Sequence, residues 1–210
     1  MTLALSLAEE ADADRIADIH MAAFGTNLML RAQFPTPSVR DKLRVSLAEK
    51  VINEIRDPKW EILIVRDEKE IVSFAKWRRP ILESEVYVES PWNWPDGTRL
   101  DVLEDWTRIV EDASEKVLCG KPCYCLSFIG TDPKHERRGA ASILIQWGLE
   151  YSKRDNIPVA LESTQVAWPL YQKLGFRAEK DISMVLEGLG ADGKPIIYEE
   201  KSLIFRPSVE

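Results

Sequence analysis

The chain has 210 residues, of which 45% are apolar and 30% charged, and its formal net charge is −7. That is enough chain for one large core, too apolar for disorder, and too acidic for a nucleic-acid partner, which needs a basic stripe. No apolar run approaches the ~18 residues that span a bilayer, and the start lacks the basic region of a signal peptide, so no membrane association and a cytoplasmic location are expected.

In chain order, Thr2 to Leu7 alternates as a first strand, and Ala11 to Phe24 predicts a helix with acidic residues in its first turn, where the dipole favours them. Leu43, Leu47, Val51 and Ile55 share one face of a second helix over 39–55. Glu61 to Arg66 and Glu70 to Trp77 predict a hairpin around Asp67-Glu68-Lys69. Residues 78–121 follow as an insertion. Its middle, Ser90-Pro-Trp-Asn-Trp-Pro-Asp-Gly97, has turn chemistry, and 99–118 predicts an amphipathic helix. Between Ile81 and Lys121 ten acids stand against four bases, an excess of six that is nearly the whole net charge. Two readings fit this segment. Its helix is a solvated acidic face, or Trp92, Trp94 and the nearby Glu83 and Glu85 wall a site whose aromatic faces and negative field attract a cationic amine.

Cys123 to Gly130 predicts a buried strand bounded by Pro122 and Asp132-Pro133. Cys119, Cys123 and Cys125 form a Cys-x-x-x-Cys-x-Cys run with only His20 and His135 as histidines, which is poor zinc spacing; reduced buried thiols and no metal are expected. The next segment, Asp132-Pro-Lys-His-Glu-Arg-Arg-Gly-Ala-Ala-Ser142, is the most informative. A turn ending in Gly139, Ala140, Ala141 and Ser142 lets consecutive N–H groups approach an anion, and the following helix adds unpaired donors and a partial positive charge. Arg137 and Arg138 can pair with phosphate oxygens. Ala141, Leu144, Ile145, Gly148 and Tyr151 then mark one face of that helix. A strand over 157–163, a short helix over 168–176 and two last strands over 181–187 and 196–205 complete the chain. The last strands offer an edge that can pair across a two-fold axis in a homodimer.

Thr131-Asp-Pro, then Arg137-Arg-Gly-Ala-Ala-Ser142, and then Leu170-Tyr-Gln-Lys-Leu-Gly-Phe176 together resemble the GNAT superfamily of acetyl-CoA-dependent N-acetyltransferases. The family signature of Gln or Arg, two residues, Gly, one residue, and Gly or Ala falls on Glu136, Gly139 and Ala141, with Glu136 departing from it. A second family pattern of Asn, Ala three residues on and Tyr four further falls on Thr164, Ala167 and Tyr171, with threonine in place of the Asn. The resemblance implies an α/β acyl-CoA N-acyltransferase fold: a mixed central sheet of about seven strands flanked by helices. The expected organisation is a single domain over 1–210, with 78–121 as an addition to it.

On the matching positions, the resemblance implies acetyl-CoA as co-substrate. Its pantetheine would lie along the strand ending at Ile129, Gly130 and Thr131, as an added strand does. Its pyrophosphate would sit on N–H groups of Arg137, Arg138, Gly139, Ala140, Ala141 and Ser142, and Thr164 and Ala167 of the second pattern are further cofactor-binding positions. Tyr171 is then the candidate general acid for the departing thiolate. A phenol at about 10 against a thiol at ~8.5 makes that transfer cost roughly 2 kcal/mol before the site adjusts it. An alkyl ammonium near 10.4 needs a base, or a water path to one. Glu162 is the candidate, with Glu83 and Glu85 as alternatives. The expected reaction moves the acetyl group to a primary amine of a small molecule or peptide by direct attack in a ternary complex. The alternatives are another acyl-CoA or nucleophile, and a GNAT-like module that binds acyl-CoA with little or no catalysis.

Overall fold

The computed structural model describes residues 3–208. Strand β1 (Leu3–Leu7) is followed by three helices, α1 (Ala13–Phe24), α2 (Leu28–Gln33) and α3 (Pro37–Arg56). The hairpin β2 (Trp60–Asp67) and β3 (Glu70–Arg78) leads into the insertion, whose helix α4 covers Leu100–Leu118. Then come β4 (Tyr124–Thr131), α5 (Ala140–Asp155), β5 (Val159–Thr164), α6 (Trp168–Lys173), β6 (Arg177–Leu186) and β7 (Ile196–Phe205). The predicted elements are all present. Thr2, the first residue of the predicted β1, lies outside the described residues. Helix α2 was not predicted; Asn27 starts it by accepting N–H bonds from Met29 and Leu30 on its side-chain oxygen. Strand β6 begins at Arg177, four residues before the predicted Asp181, because its polar first half pairs with β7 through a bulge between Ala178 and Lys180.

The seven strands form one mixed sheet in the order β1-β2-β3-β4-β5-β7-β6. One face carries α1 and α3 over a core that includes Ile16, Ile19, Leu43, Val51, Ile64 and Phe74. The other carries α5 and α6 over Leu63, Trp77, Leu144, Ile145 and Leu161. Helix α5 approaches β3 so closely that a Cβ at Gly148 would lie 2.2 Å from the Trp77 ring. The Trp77 indole donates to the Leu144 carbonyl at 3.3 Å across the same contact. A smaller cluster around Met29, Leu186 and Tyr198 is covered by α2 and by α4 through Val102 and Trp106.

All neighbouring strands are antiparallel except β4 and β5. Those two pair only at Tyr124 with Val159 and Cys125 with Ala160, although β4 continues to Thr131 and β5 to Thr164. Beyond that point each strand stays with its outer partner, β4 with β3 and β5 with β7, so the sheet splits between them. Past the split, β4 keeps one edge of its backbone unpaired. Such an edge accepts an extended chain as an added strand.

Candidate active site

The split opens into a cavity of about 500 Å³. Leu126, Ser127, Phe128 and Ile129 of β4 form one wall, and Glu162, Ser163 and Thr164 of β5 form the facing one. Ser127 is an extra residue in β4, since Lys76 pairs with Phe128 and Trp77 with Leu126, and the bulge turns the strand toward the opening.

The turn predicted to hold an anion lies at the end of β4. Arg137 has φ 62 and Gly139 has φ 91, two left-handed residues around Arg138 that curl the backbone ahead of α5. No side-chain carbon favours φ 91, and a Cβ there would meet nothing within 4 Å, so Gly139 is required by backbone conformation and leaves the concave side of the turn open. Ile143 N–H is bonded back to Gly139 at 3.2 Å, whereas amides of the preceding turn have no intrahelical acceptor. These oriented N–H groups at the head of a 16-residue helix suit an anion.

The two arginines do different work from each other. Arg138 Nη2 donates to Asp67 Oδ2 at 2.6 Å and Nη1 lies 2.9 Å from His135 Nδ1, so this side chain fastens the turn to the β2–β3 hairpin. Asp132, buried at the foot of the turn, receives Arg15 at 2.7 Å and the Lys134 amide at 3.0 Å. Arg137 is exposed. Glu136, the departure from the family signature, is also exposed and has extended backbone, so its carboxylate stands in water and not among the turn amides. Of the predicted pantetheine residues, Ile129 lines the cavity. Gly130 and Thr131 end β4, where the Gly130 carbonyl accepts the Ser73 hydroxyl at 2.8 Å and Thr131 Oγ1 lies 2.9 Å from it.

Thr164, Ala167 and Tyr171 all reach the cavity. Thr164, in place of the Asn, receives the Ala167 amide on its carbonyl and its hydroxyl at 3.1 and 3.4 Å, in the turn before α6. Tyr171, 4% exposed, packs edge-on against Phe176 at 5.5 Å. Burial, and then the charge of Glu200, hold its phenol well above the ordinary tyrosine range, so it stays a proton donor. Glu162 is half-buried on β5, and burial with Glu200 nearby pushes its carboxyl up to about 7. A carboxyl poised there is a competent base near neutral pH.

Glu200 was not predicted. It lies on β7, where Thr164 pairs with it and Glu162 pairs with Ser202. The glutamates are therefore diagonal neighbours on one face of the sheet, with Cα atoms about 7–8 Å apart. The Tyr198 hydroxyl donates to Glu200, and Asn27 Nδ2 donates to Tyr198 Oη at 2.9 Å. The period-2 alternation around Glu200 resembles any half-buried strand, and nothing local reveals which neighbour it meets.

The insertion resolves both readings of its sequence at once. Leu103, Trp106 and Val110 of α4 line the cavity, while acids such as Asp101 and Asp105 lie outside, exposed and paired with Arg99 and Arg108. Trp92 and Trp94 also line it, stacked at 4.5 Å. Trp92, however, already has the protein's own cations over its ring, Lys50 Nζ at 5.2 Å and Lys76 Nζ at 5.6 Å. Glu83 and Glu85 do not reach the cavity. Glu83 is exposed, and Glu85 spends both oxygens on Lys59 at 2.6 Å and one on the Leu82 amide at 2.9 Å, fixing the loop. They sit on the outer turn of the insertion because Trp60, Tyr87 and Asp57 pin it there. The carboxylates that line the cavity are Glu54, Glu89, Glu111, Glu162 and Glu200. Cys123 and Cys125 are pushed up to about 11 and about 12 by burial, so both remain thiols.

A family model described as "Acetyltransferase (GNAT) family" matches residues 29–176, well over half of the chain. The chain belongs to the acetyltransferase (GNAT) family. Within it, a stretch of 41 residues is 44% identical to a "Probable acyltransferase SID5" of Ajellomyces capsulatus, covering 20% of this chain and 30% of that relative. Among solved structures, a "histone acetyltransferase HPA2 and related acetyltransferase" from Corynebacterium glutamicum is similar with TM-score 0.66 and 23% identity, over 100% of this chain and 99% of the other. A "paia n-acetyltransferase" from Thermoplasma acidophilum, solved with coenzyme A, has TM-score 0.58 and 10% identity over 98% and 100%. At these identities the solved structures speak for the fold. The fold they share with this chain is a mixed sheet flanked by helices.

Proposed function

We propose that this protein transfers the acetyl group of acetyl-CoA to a primary amine of a small molecule or peptide in a ternary complex. The observation that carries the reading is the split between β4 and β5, with the unpaired edge of β4, Tyr171 and Glu162 all facing one cavity. The residues fit acetyl-CoA: the turn before α5 offers oriented amides to the pyrophosphate, and the free edge of β4 offers hydrogen bonds to the pantetheine.

The acceptor arrives as an ammonium and gives one proton to the Glu162 carboxylate. Its neutral nitrogen attacks the thioester carbonyl, the C–N bond forms, and backbone N–H groups of the free β4 edge stabilise the developing oxyanion. As the C–S bond breaks, Tyr171 gives its phenol proton to the sulfur. The proton lost by the new amide nitrogen restores Tyr171, and the proton on Glu162 leaves to solvent, so charge and atoms balance. The phenol of Tyr171 donates only while protonated, and its environment keeps it so.

The test combines titration of the purified protein with acetyl-CoA, desulfo-CoA and NAD with thiol release during incubation with amines. Binding of both CoA compounds but not NAD, and amine-dependent thiol release, are expected. Tyr171→Phe is expected to lower turnover on the order of 10²-fold, with the acetyl-CoA dissociation constant unchanged. CoA binding without release for any amine would replace the enzyme by a binding module.

A further inference from the structure

The cavity walls carry two sets of glutamates that differ in neutralisation. On the α3 side Glu54 Oε2 lies 2.7 Å from Lys76 Nζ, with both side chains buried. Glu89 Oε1 accepts from Lys50 Nζ at 2.8 Å, and its other oxygen lies 3.8 Å from Arg78. On the β5–β7 side, Glu162 and Glu200 enter no ion pair among the described residues. The nearest cation whose charge reaches Glu162 is Arg78, already engaged with Glu89.

The other groups around this second pair are neutral: Tyr171 on α6, Tyr198 on β7 and Cys125 on β4. Glu111, on α4, lies at the exposed rim, where water screens it. Glu200 is held in place by the chain from Asn27 through Tyr198, and Asn27 is itself fixed as the cap of α2. A rigidly held pair of half-buried carboxylates with no ion-pair partner gains most from a bound cation. Away from it the lining is apolar, including Phe34, Leu43, Leu47, Trp94 and Leu103. There a second ammonium would meet hydrocarbon, or Glu54 and Glu89, which already have Lys76 and Lys50 beside them. Trp92 offers it nothing either, with Lys50 and Lys76 over its ring and Trp94 stacked on it.

We propose that the acceptor is a monoamine with an apolar body of aromatic size, its single ammonium seated between Glu162 and Glu200, and that diamines and polyamines are poor substrates. This rests on the N-acyltransferase reading above. Glu200 is a positioning and specificity residue, and it makes the seat without touching acetyl-CoA.

The experiment measures acetyl-CoA-dependent thiol release with 2-phenylethylamine, 1,4-diaminobutane and spermidine for the wild type and Glu200→Gln. Gln keeps an oxygen for the Tyr198 hydroxyl, and circular dichroism verifies the fold. The expected kcat/KM for 2-phenylethylamine exceeds those of both polyamines by at least tenfold. Glu200→Gln is expected to raise its KM about tenfold, while the acetyl-CoA dissociation constant from titration is unchanged. As a second readout, 2-phenylethylamine is titrated into the desulfo-CoA complex, where the same weakening appears without turnover. Equal or better use of spermidine, or an unmoved KM in Glu200→Gln, overturns the monoamine seat and leaves N-acetyl transfer standing. Acetyl-CoA binding with no amine-dependent release overturns the N-acyltransferase reading instead.

Discussion

The two ends of the cleft are built in different ways. The end that suits acetyl-CoA comes from one continuous stretch, β4 through α6, in which a strand, a turn and a helix head follow directly in sequence. The acceptor end is assembled from α1, α2, α3, the insertion and β7 around Glu162 of β5, so His20, Asn27, Glu54, Glu89 and Glu200 meet it only in the fold. Backbone geometry dominates the first end, where Gly139 and the unpaired β4 edge present N–H groups. Side-chain electrostatics dominate the second. His20 shows the effect: burial, with Lys76 nearby, pushes it down to about 3, so at neutral pH it contributes no charge to the cavity. The lesson is that a cofactor end can be carried over by family, while an acceptor end is specific to each chain.

Substitutions at the two ends should therefore separate in their readouts. The largest effect is expected at the acceptor end for Glu162→Gln, a fall in kcat/KM on the order of 10²-fold with acetyl-CoA affinity retained. The pH profile checks the role. With its carboxyl up at about 7, Glu162 becomes an ionised base as pH rises through that value, so the wild-type rate rises there and the variant lacks that limb. The same shift has a stability consequence of known sign. A carboxyl raised from 4.5 to about 7 favours the fold while protonated and loses that contribution as pH rises through about 7. Denaturant midpoints of the free Glu162→Gln protein should thus stay level between pH 4.5 and about 7, where this group makes the wild type decline.

At the cofactor end the expected effect is smaller and of the opposite kind. Gly139→Ala forces a Cβ onto φ 91, costing about 1–2 kcal/mol. Acetyl-CoA affinity should drop roughly tenfold, with kcat at saturation largely kept; titration and saturation kinetics together decide. An unchanged dissociation constant would show that the turn does not hold the ligand. The smallest effect belongs to neither end: Glu83→Gln should leave both KM values unchanged and stability within about 0.5 kcal/mol, because that side chain faces water outside the cavity. A shift in amine KM there would extend the acceptor end beyond the cavity.

The elements around the turn were legible in the sequence because their signals are local. Gly139, Ala141, Ala167 and Tyr171 sit at fixed spacings in and just before two helices, α5 and α6, and hydrophobic periodicity finds such elements directly. The arginines were legible as residues but not as roles, since only the tertiary contact with Asp67 on the β2–β3 hairpin shows that Arg138 fastens the turn. The insertion was read as acidic and aromatic, yet its two plain glutamates, Glu83 and Glu85, lie outside the cavity. The sequence singled out neither Glu54 nor Glu200, and these do line it.

By itself the amino-acid sequence determined the α/β class, the order of the strands and of every helix but α2, the left-handed turn at Gly139 and the family, because propensity, periodicity and a backbone needing Gly139 act over a few residues. Only the tertiary structure decided which carboxylates line the cavity and which have a cation beside them. Charge pairing in a cavity depends on which elements the fold brings side by side: Lys76 of β3 pairs with Glu54 of α3, whereas among the described residues Glu162 and Glu200 enter no ion pair.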